Sequence, residues 1–346
     1  MLYEVPNPNK SYIVEKSSEY LINKYEGVSF VKVQIPEDMY IPPLPYRQEK
    51  LIFPTGTFAG FYTHIEIRNA LKHGAKILDY GSGIFYTETI DLFSSFVTKH
   101  YKERLKLKAK GSPLQVMEKL VLNNLYGKWG FNYRDCSQVI PARKLDPKKH
   151  IKEGARVIPI AKGKFFSVTT DVAPPVYSFP IWSVYITARA RILMYEYLND
   201  HRLKDKLIYT DTDSIFLTNH AGEITSSKEL GEMSLEDGYP VKEAIFIRPK
   251  NYYTHKYKCK GIRTIQDGID KGDQIFQDVL KNIKIKQKRF TKFRTALRSE
   301  NHHKYGKLQP NQIITVTKQV SLEDDKRLWD KPFDPTTWQD SIPRNI

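Results

Sequence analysis

Two carboxylates interrupt an apolar run and constrain how the second half of the chain can fold. The run, KLIYTDTDSIFLT, covers residues 206–218 and places Asp211 and Asp213 between bulky, β-forming side chains. This pattern predicts two strands with the acids at the turn between them. Alternation along a strand, or a tight turn, keeps the two carboxylates close together.

Carboxylates this close repel each other, and both ionise readily only when a cation lies between them. Oxygen ligands suit Mg²⁺, which usually takes one or two carboxylates together with substrate phosphates. Asp211 and Asp213 are therefore candidate magnesium ligands, and magnesium held in this way can activate an in-line phosphoryl displacement. The pattern leaves one alternative open, an exposed Asx-type turn capped by Ser214.

The charge balance narrows the class of partner. The 346 residues carry a net charge of +16, and residues 281–307 hold ten Lys and Arg residues against one Glu. Such a chain favours nucleic acid or an anionic membrane surface. A membrane fits poorly, because no apolar run is long enough for a spanning helix and the basic residues lack a broad apolar face. Cys136 and Cys259 have no zinc or disulfide-framework spacing.

A helical hairpin is predicted near residue 110. Residues 1–88 consist of short β-like runs, one of them Phe58–Ile67, and helical spacing of apolar residues follows over 89–110. Ser112, Pro113 and Gln115 then match the N-cap, first and third positions of a capping box, which predicts that a second helix begins at once. A further helix is predicted over Phe179–Asp200.

The second helix of this pair has two distinct faces on a helical wheel. Lys119, Asn123 and Tyr126 form one column, which suits a nucleoside triphosphate: the lysine meets phosphate and the ring packs on base or sugar. A solvated helix face is the alternative. The other side is a wide apolar arc that consists of Leu114, Met117, Leu120, Val121 and Leu125.

Three motifs resemble those of family B DNA polymerases. YTDTDS, residues 209–214, resembles their YxDTDS motif. KLVLNNLYG, residues 119–127, is similar to KxxxNSxYG, with Asn124 where serine is usual, and KNY, residues 250–252, resembles KxY. The order of the motifs, their compact spacing and ITARAR at 186–191 look most like the protein-primed branch, which serves bacteriophages, adenoviruses and linear plasmids.

The resemblance implies an α+β fold: a polymerase palm of mixed sheet and helices, αα-hairpin fingers, loop/β insertions and a basic thumb. The implied segments are an insertion resembling the terminal-protein region (1–88), the fingers (89–130), a second insertion resembling the strand-displacement region (131–178), the palm (179–268), and the thumb with a C-terminal tail (269–346).

It also implies roles for individual residues. Asp213 would be the catalytic metal ligand and Asp211 a secondary one, with two Mg²⁺ ions as cofactors. Nucleotide binding would fall to Lys119, Asn123, Asn124, Tyr126, Gly127, Tyr209, Thr212, Arg104 and Lys108. DNA binding would fall to Lys250, Tyr252, Lys128, Arg191, Lys286, Lys288 and Arg289. The implied partners of a monomeric chain are DNA primer-template, dNTPs and a terminal protein primer, with no membrane.

One family motif is missing from the sequence. DxxSLYP supplies the other metal-binding aspartate in this family, and the nearest imitation here is Asp91 in DLFSSF. The exonuclease signature DxE is missing as well, and Met1 resembles the methionine just beyond DxxSLYP. We therefore expect a C-terminal fragment that is missing one metal aspartate, or alternatively a non-catalytic, basic DNA-binding remnant.

The spacing of the two acids and the composition of the chain support two further expectations. Thr212 separates the two acids, which argues against the adjacent carboxylates of reverse transcriptases and viral RNA polymerases. The abundance of Lys, Asn, Ile and Tyr suits an AT-rich genome. We accordingly expect a linear mitochondrial plasmid as the source, with a cytoplasmic plasmid or a virus as alternatives.

Overall fold

The computed structural model describes residues 2–131, 137–160, 163–169, 176–203, 205–218, 224, 230–236, 240–290 and 313–346. The chain divides into a first compact unit, Met1–Gly130 with Phe179–Pro249 and Glu323–Ile346, and a second one, Phe131–Ser178 with Lys250–Leu322. Part of the predicted basic thumb segment, residues 291–307, lies outside the described residues. The five segments inferred from the sequence stay predictions.

Helices and strands are mixed along the whole described chain, which confirms the predicted α+β class. The α-helices are α1 (Glu19–Lys24), α2 (His64–Lys72), α3 (Ser94–Ala109), α4 (Gln115–Trp129), α5 (Pro147–Lys152), α6 (Pro180–Leu198) and α7 (Gly272–Leu280). Among these described residues, no helix is both long and apolar enough to cross a membrane.

The strands of the first half of the chain are β1 (Val5–Pro6), β2 (Ser11–Val14), β3 (Glu26–Ile35), β4 (Tyr46–Arg47), β5 (Leu51–Ile52), β6 (Gly56–Thr63), β7 (Lys76–Tyr86), β8 (Thr89–Ile90), β9 (Ser137–Pro141), β10 (Arg156–Ile160) and β11 (Phe165–Thr169). Those of the second half are β12 (Leu207–Asp211), β13 (Ser214–Leu217), β14 (Ile245–Arg248), β15 (Asn251–Tyr253), β16 (Tyr257–Cys259), β17 (Ile265–Gln266), β18 (Ile269–Asp270), β19 (Ile285–Phe290), β20 (Ile313–Lys318), β21 (Arg327–Trp329) and β22 (Ser341–Pro343).

The N-terminal lobe, residues 11–86 of the first unit, is built on an antiparallel sheet of order β2-β7-β3-β6. Val31, Val33 and Ile35 of β3 are buried and alternate with exposed Phe30 and Lys32, as expected for a sheet covered on one face. Helices α1 and α2 pack against this sheet. The lobe therefore has a hydrophobic core of its own.

The predicted β-run Phe58–Ile67 is wrong in its second half. Strand β6 ends at Thr63, and α2 begins at His64. The Thr63 hydroxyl accepts from the Glu66 amide, and the Glu66 carboxylate accepts from the Thr63 amide, which completes a capping box. This local cap outweighs the β-propensity of Ile65 and Ile67.

Helix α6, which confirms the predicted helix over 179–200, is fixed to the N-terminal part of the first unit by polar contacts. The Trp182 indole donates to the Pro6 carbonyl at 2.9 Å. The fully buried Tyr185 hydroxyl accepts from the Gly27 amide at 2.5 Å and lies 2.8 Å from a carboxylate oxygen of Glu26. These hydrogen bonds hold the helix in one position against β1 and β3.

The predicted αα-hairpin is present as α3 and α4, but both helices begin later than expected. Residues 89–90 form β8, which pairs with β1, so α3 begins only at Ser94. The Ser112 hydroxyl accepts from the amide of Leu114 rather than from that of Gln115, and Gln115 is the first residue of α4. The predicted capping box is therefore wrong.

The apolar arc of α4 is not the face that the helix buries. Leu122 and Trp129 face the core, whereas Leu114, Met117, Leu120 and Val121 are exposed; Leu125 alone of the apolar arc packs against the core. The reason is aromatic packing: Trp129 stacks on Phe93 of the α3 N-terminus at 4.1 Å and meets Trp182 of α6 edge-on at 5.6 Å. These bulky rings select the face of the helix that is buried.

The second unit contains a three-stranded sheet of order β10-β11-β9, the pair β15–β16 and the antiparallel hairpin β19–β20. Helix α7 packs on β16 and β19, with Phe276 stacked on Tyr253. The buried Gln287 side chain anchors β19, because it donates to the Gly261 carbonyl and accepts from the Arg263 amide, both at 2.9 Å. We call β19–β20 the basic hairpin.

Candidate active site

The predicted acid-bearing hairpin is confirmed. β12 and β13 pair antiparallel, with Asp211 opposite Ser214 and with Thr212 and Asp213 forming the turn. Thr212 has a φ of +63°, a conformation that is unusual for a β-branched residue. The Asp213 amide donates to the Asp211 carbonyl at 2.7 Å, and the Ser214 hydroxyl donates to the same oxygen at 3.2 Å.

The two carboxylates of this turn have different surroundings. Asp211 is half-buried and accepts from the Thr212 hydroxyl at 3.0 Å, whereas Asp213 is exposed. The Asp213 carboxylate forms no hydrogen bond or ion pair with the described part of the chain. Backbone strain at an acidic turn is typical of functional sites.

These acids fit part of a magnesium site. Each is a hard oxygen ligand of the kind that Mg²⁺ prefers, and two carboxylates are the number it usually takes from protein beside phosphates. Within the described residues, no cluster of three or more His, Cys, Asp or Glu side chains could hold a metal ion by itself. Further ligands would have to come from substrate phosphates, from water or from other carboxylates.

An aromatic triangle supports the hairpin from within the first unit. Tyr209 of β12, Phe216 of β13 and Phe246 of β14 lie with ring centroids 5.0–5.7 Å apart. Such packed rings fix the strands that carry the acids. Tyr209, predicted for the nucleotide pocket, is half-buried in this cluster.

The lysine–asparagine–tyrosine column of α4 is accessible. Lys119, Asn123, Tyr126 and Gly127 are exposed, and they belong to the same unit as the acid turn. The amide of Asn124 donates to the Leu120 carbonyl at 2.8 Å, so its NH₂ group points back along its own helix. The nucleotide-binding roles stay predictions.

The basic residues of the first unit differ in environment. Lys108 and Lys128 are exposed, and Arg104 is half-buried with an Nε that has no hydrogen-bond partner among the described residues. Arg191 forms a bidentate contact with one oxygen of the buried Glu66, at 2.9 Å from Nε and 2.7 Å from Nη2. This pair gives Arg191 a structural role that the sequence did not indicate, and its DNA contact stays a prediction.

In the second unit, the first residue of the KxY motif has a strained backbone. Lys250 has a φ of +63°, and its carbonyl accepts from the Lys260 amide at 2.9 Å. Tyr252 is buried, and the Lys258 ammonium lies 5.6 Å from the centroid of its ring. Tyr252 is therefore less accessible than we expect for a residue that contacts the primer.

The basic hairpin presents its charged residues to solvent. Lys286, Lys288 and Arg289 are exposed, and Lys288 lies 3.2 Å from the carboxylate of Asp267. Sequence reasoning missed the exposed Thr317 and Thr315, which pair with Lys286 and Lys288 across the hairpin. The alternating IITVTK of β20 was the available signal, since residues two apart share a face of a strand.

Comparisons with known proteins agree with the motifs. Residues 1–169 match a family model described as DNA polymerase type B, organellar and viral. The probable DNA polymerase of Neurospora intermedia is 30% identical over 247 residues, which is 68% of this chain and 25% of that protein. For the probable DNA polymerase of Podospora anserina the identity is 27% over 378 residues, 94% of this chain and 30% of that protein.

Solved structures share the fold. Phi29 DNA polymerase complexed with primer-template DNA and incoming nucleotide substrates superposes with a TM-score of 0.61 at 18% identity, covering 92% of this chain and 55% of that one. The chain thus spans about a quarter of the length of its fungal relatives and about half of the phi29 chain. The family match and the relatives identify the chain as a member of the organellar and viral type B DNA polymerases.

Proposed function

We propose that this chain takes part in template-directed DNA synthesis, with dNTPs added to a primer at the turn formed by Asp211 and Asp213. The observation that carries the proposal is a strained turn with an exposed carboxylate, in the same unit as an exposed lysine–asparagine–tyrosine column. The relatives are named DNA polymerase, and the phi29 structure holds primer-template DNA with nucleotide substrates.

In this proposal Asp213 and Asp211 hold two Mg²⁺ ions together with the triphosphate. Magnesium held by these residues would activate the attacking oxygen and neutralise the leaving one. The Thr212 hydroxyl orients the Asp211 carboxylate. Lys119 neutralises charge on the phosphates, and the Tyr126 ring packs on base or sugar.

DNA is held by its phosphates rather than by its bases. Lys286, Lys288 and Arg289 of the basic hairpin supply positive charge, with Thr315 and Thr317 as hydroxyl donors on the face they share with Lys286 and Lys288. Contacts of this kind give affinity without reading sequence. The other proposed DNA contacts are made by Lys250, Tyr252, Lys128 and Arg191.

A second candidate function is DNA binding without synthesis. The 346 residues contain no DxxSLYP sequence, and the described residues form no cluster of three metal-binding side chains. If the acid pair binds no metal, the chain would act as a basic DNA-binding remnant.

For the proposed polymerase, the biological setting is proposed to be a linear mitochondrial plasmid, with a terminal protein as primer and the chain as a monomer.

Metal-dependent nucleotide binding tests the proposal. Wild type, Asp213→Asn and the control Asp79→Asn, an exposed acid of the N-terminal lobe, are titrated with Mn²⁺ and with dATP on a primer-template whose next base is T. We expect Asp213→Asn to weaken metal-dependent dATP binding at least tenfold while DNA affinity stays within twofold, because only the metal ligand is lost. Asp79→Asn should behave like wild type.

The contrary result is equally specific. Salt-sensitive DNA binding, with dATP binding that ignores both Mn²⁺ and Asp213→Asn, would establish the DNA-binding candidate in place of the polymerase. Primer extension with Mg²⁺ then shows whether the chain alone completes the reaction.

A further inference from the structure

The end of the chain returns to the first unit. Glu323–Ile346, which we call the tail, belongs to that unit, whereas the preceding segment Lys250–Leu322 belongs to the second unit. This segment is joined to the first unit at both of its ends, at Pro249 and at Glu323. The basic hairpin lies within it.

The tail adds an extended segment to the edge of the N-terminal lobe. The Thr55 amide donates to the Arg344 carbonyl at 2.9 Å, and the Thr57 amide donates to the Ile346 carbonyl at 2.8 Å. In return, the Ile346 amide donates to the Thr55 carbonyl at 3.1 Å. The pairing is parallel and continues into β6, the edge strand of the sheet, so the tail docks by strand addition.

Side chains reinforce this docking. The Tyr40 hydroxyl donates to Asp340 at 2.5 Å, and the Arg327 guanidinium lies 5.0 Å from the Tyr40 ring centroid. Burial first, and then the Asp340 carboxylate, raise the pKa of Tyr40 to about 12, so its hydroxyl stays a donor well into the alkaline range. The Asn345 amide donates to Glu37 at 3.1 Å, and Ile346 packs against the core of the lobe.

We propose that the tail is a strap that keeps the segment bearing the basic hairpin tied to the first unit at both ends. With the tail undocked, this segment would lose its attachment at Glu323 and would be held at Pro249 and through the rest of the second unit, Phe131–Ser178. A segment with fewer attachments explores more space, which lowers the effective concentration of its binding groups. The inference rests on the proposed function, since the hairpin is the surface proposed there to bind DNA.

Two glycines provide a matched test. Gly56 and Gly74 have nearly the same positive φ, +91° and +92°, which is unfavourable for alanine at both positions. A Cβ on Gly56 would clash with the Ile346 carbonyl oxygen and with Oδ1 of Asn345, whereas a Cβ on Gly74 meets nothing within 4 Å. Gly56→Ala therefore disturbs the tail, and Gly74→Ala controls for strain alone.

Two quantities are measured on the full chain. Hydrogen exchange at the Thr57 and Ile346 amides reports docking, and the dissociation rate of a duplex with a recessed 3′ end reports DNA retention. We expect Gly56→Ala to accelerate amide exchange at least tenfold and DNA dissociation several-fold. Gly74→Ala should leave both within twofold of wild type.

Each contrary outcome overturns a specific part of the proposal. Faster exchange with unchanged DNA dissociation would make the tail a structural contact only. Equal effects of the two alanines would assign the change to backbone strain. A wild-type chain that binds no duplex would instead refute the proposed function, while the exchange data would still report docking.

A second variant covers the case in which Gly56→Ala does not fold. Removal of residues 344–346 deletes all three main-chain hydrogen bonds without adding any atom to the lobe. Its circular dichroism should match that of wild type while its DNA dissociation accelerates as for Gly56→Ala. A folded truncation that retains DNA as long as wild type does would overturn the strap.

Discussion

At the residue scale, His64 shows how burial fixes a protonation state. The side chain is fully buried in the N-terminal lobe; Nδ1 lies 2.7 Å from the Tyr25 carbonyl and Nε2 lies 2.9 Å from the Ser29 hydroxyl. A carbonyl only accepts, so Nδ1 carries the proton and Nε2 accepts from Ser29. Burial lowers the pKa of His64 from 6.5 to about 4, so the ring is neutral at physiological pH.

We expect this histidine to make the first unit less stable in mild acid. Between pH 6.5 and about 4, His64 binds a proton in the unfolded chain but not in the folded chain. The free energy of unfolding therefore falls as the pH falls. The loss attributable to His64 should be about 2 kcal/mol by pH 5. Denaturant unfolding of wild type and His64→Gln from pH 7.5 to pH 5 measures it.

The two pH profiles are compared directly. His64→Gln should show a flatter pH dependence than wild type, although its free energy of unfolding is lower at neutral pH. Parallel curves for wild type and His64→Gln would contradict the assignment.

At the element scale, one hydroxyl makes several of the contacts that position α6. The Tyr185 oxygen accepts from the Gly27 amide and also lies 3.0 Å from the Gly27 carbonyl and 2.8 Å from Glu26. Glu26 in turn pairs with Arg68 at 2.6 Å. Because Tyr185 is fully buried, water cannot replace these partners in the folded state.

We expect Tyr185→Phe to lower the free energy of unfolding by about 2 kcal/mol, because it leaves the buried Gly27 amide unsatisfied. The matched control is Tyr195→Phe in the same helix, since the Tyr195 hydroxyl forms no hydrogen bond with the described residues. Tyr195→Phe should cost less than about 1 kcal/mol. Equal losses in urea unfolding would show that the hydroxyl network does not hold the helix.

Helices α3 and α4 show which structural features the sequence pattern predicts and which it does not. The αα-hairpin was predictable, because apolar spacing and Gly111 mark two helices and the break between them. The buried face of α4 was not, since both sides of that helix carry large apolar residues. Packing of Trp129 against Phe93 and Trp182, residues distant in sequence, decided it.

At the scale of the whole molecule, the net charge of +16 predicts salt-dependent DNA binding. Lys286 and Lys288 lie on the exposed face of the basic hairpin. Replacing both with alanine should reduce the slope of log K against log salt by about 2, because two phosphate contacts are lost. Fluorescence anisotropy at several salt concentrations measures the slope.

A matched double variant tests whether position matters. Lys32→Ala with Lys76→Ala removes two exposed lysines from the sheet of the N-terminal lobe and leaves the basic hairpin intact. Its slope should stay within about 0.5 of wild type if the hairpin is the DNA surface. Equal reductions in the two double variants would mean that DNA senses only the total charge.

The sequence by itself determined the local structural features and the family. The acid turn, the helical hairpin, α6 and the basic segment were all predictable, because each depends on the pattern of neighbouring residues in the chain. The motifs required no knowledge of the fold, since their chemistry depends on residue type and short spacing.

Tertiary structure decided what depends on distant partners. Glu66 and Arg191 lie 125 positions apart, and Thr55 and Arg344 lie 289 apart, yet each pair is in direct contact. No periodicity connects such residues, because the chain between them can fold in many ways that satisfy the same local pattern. Burial of the surrounding apolar side chains selects one of these arrangements, and only then are the anchoring of α6 and the docking of the tail fixed.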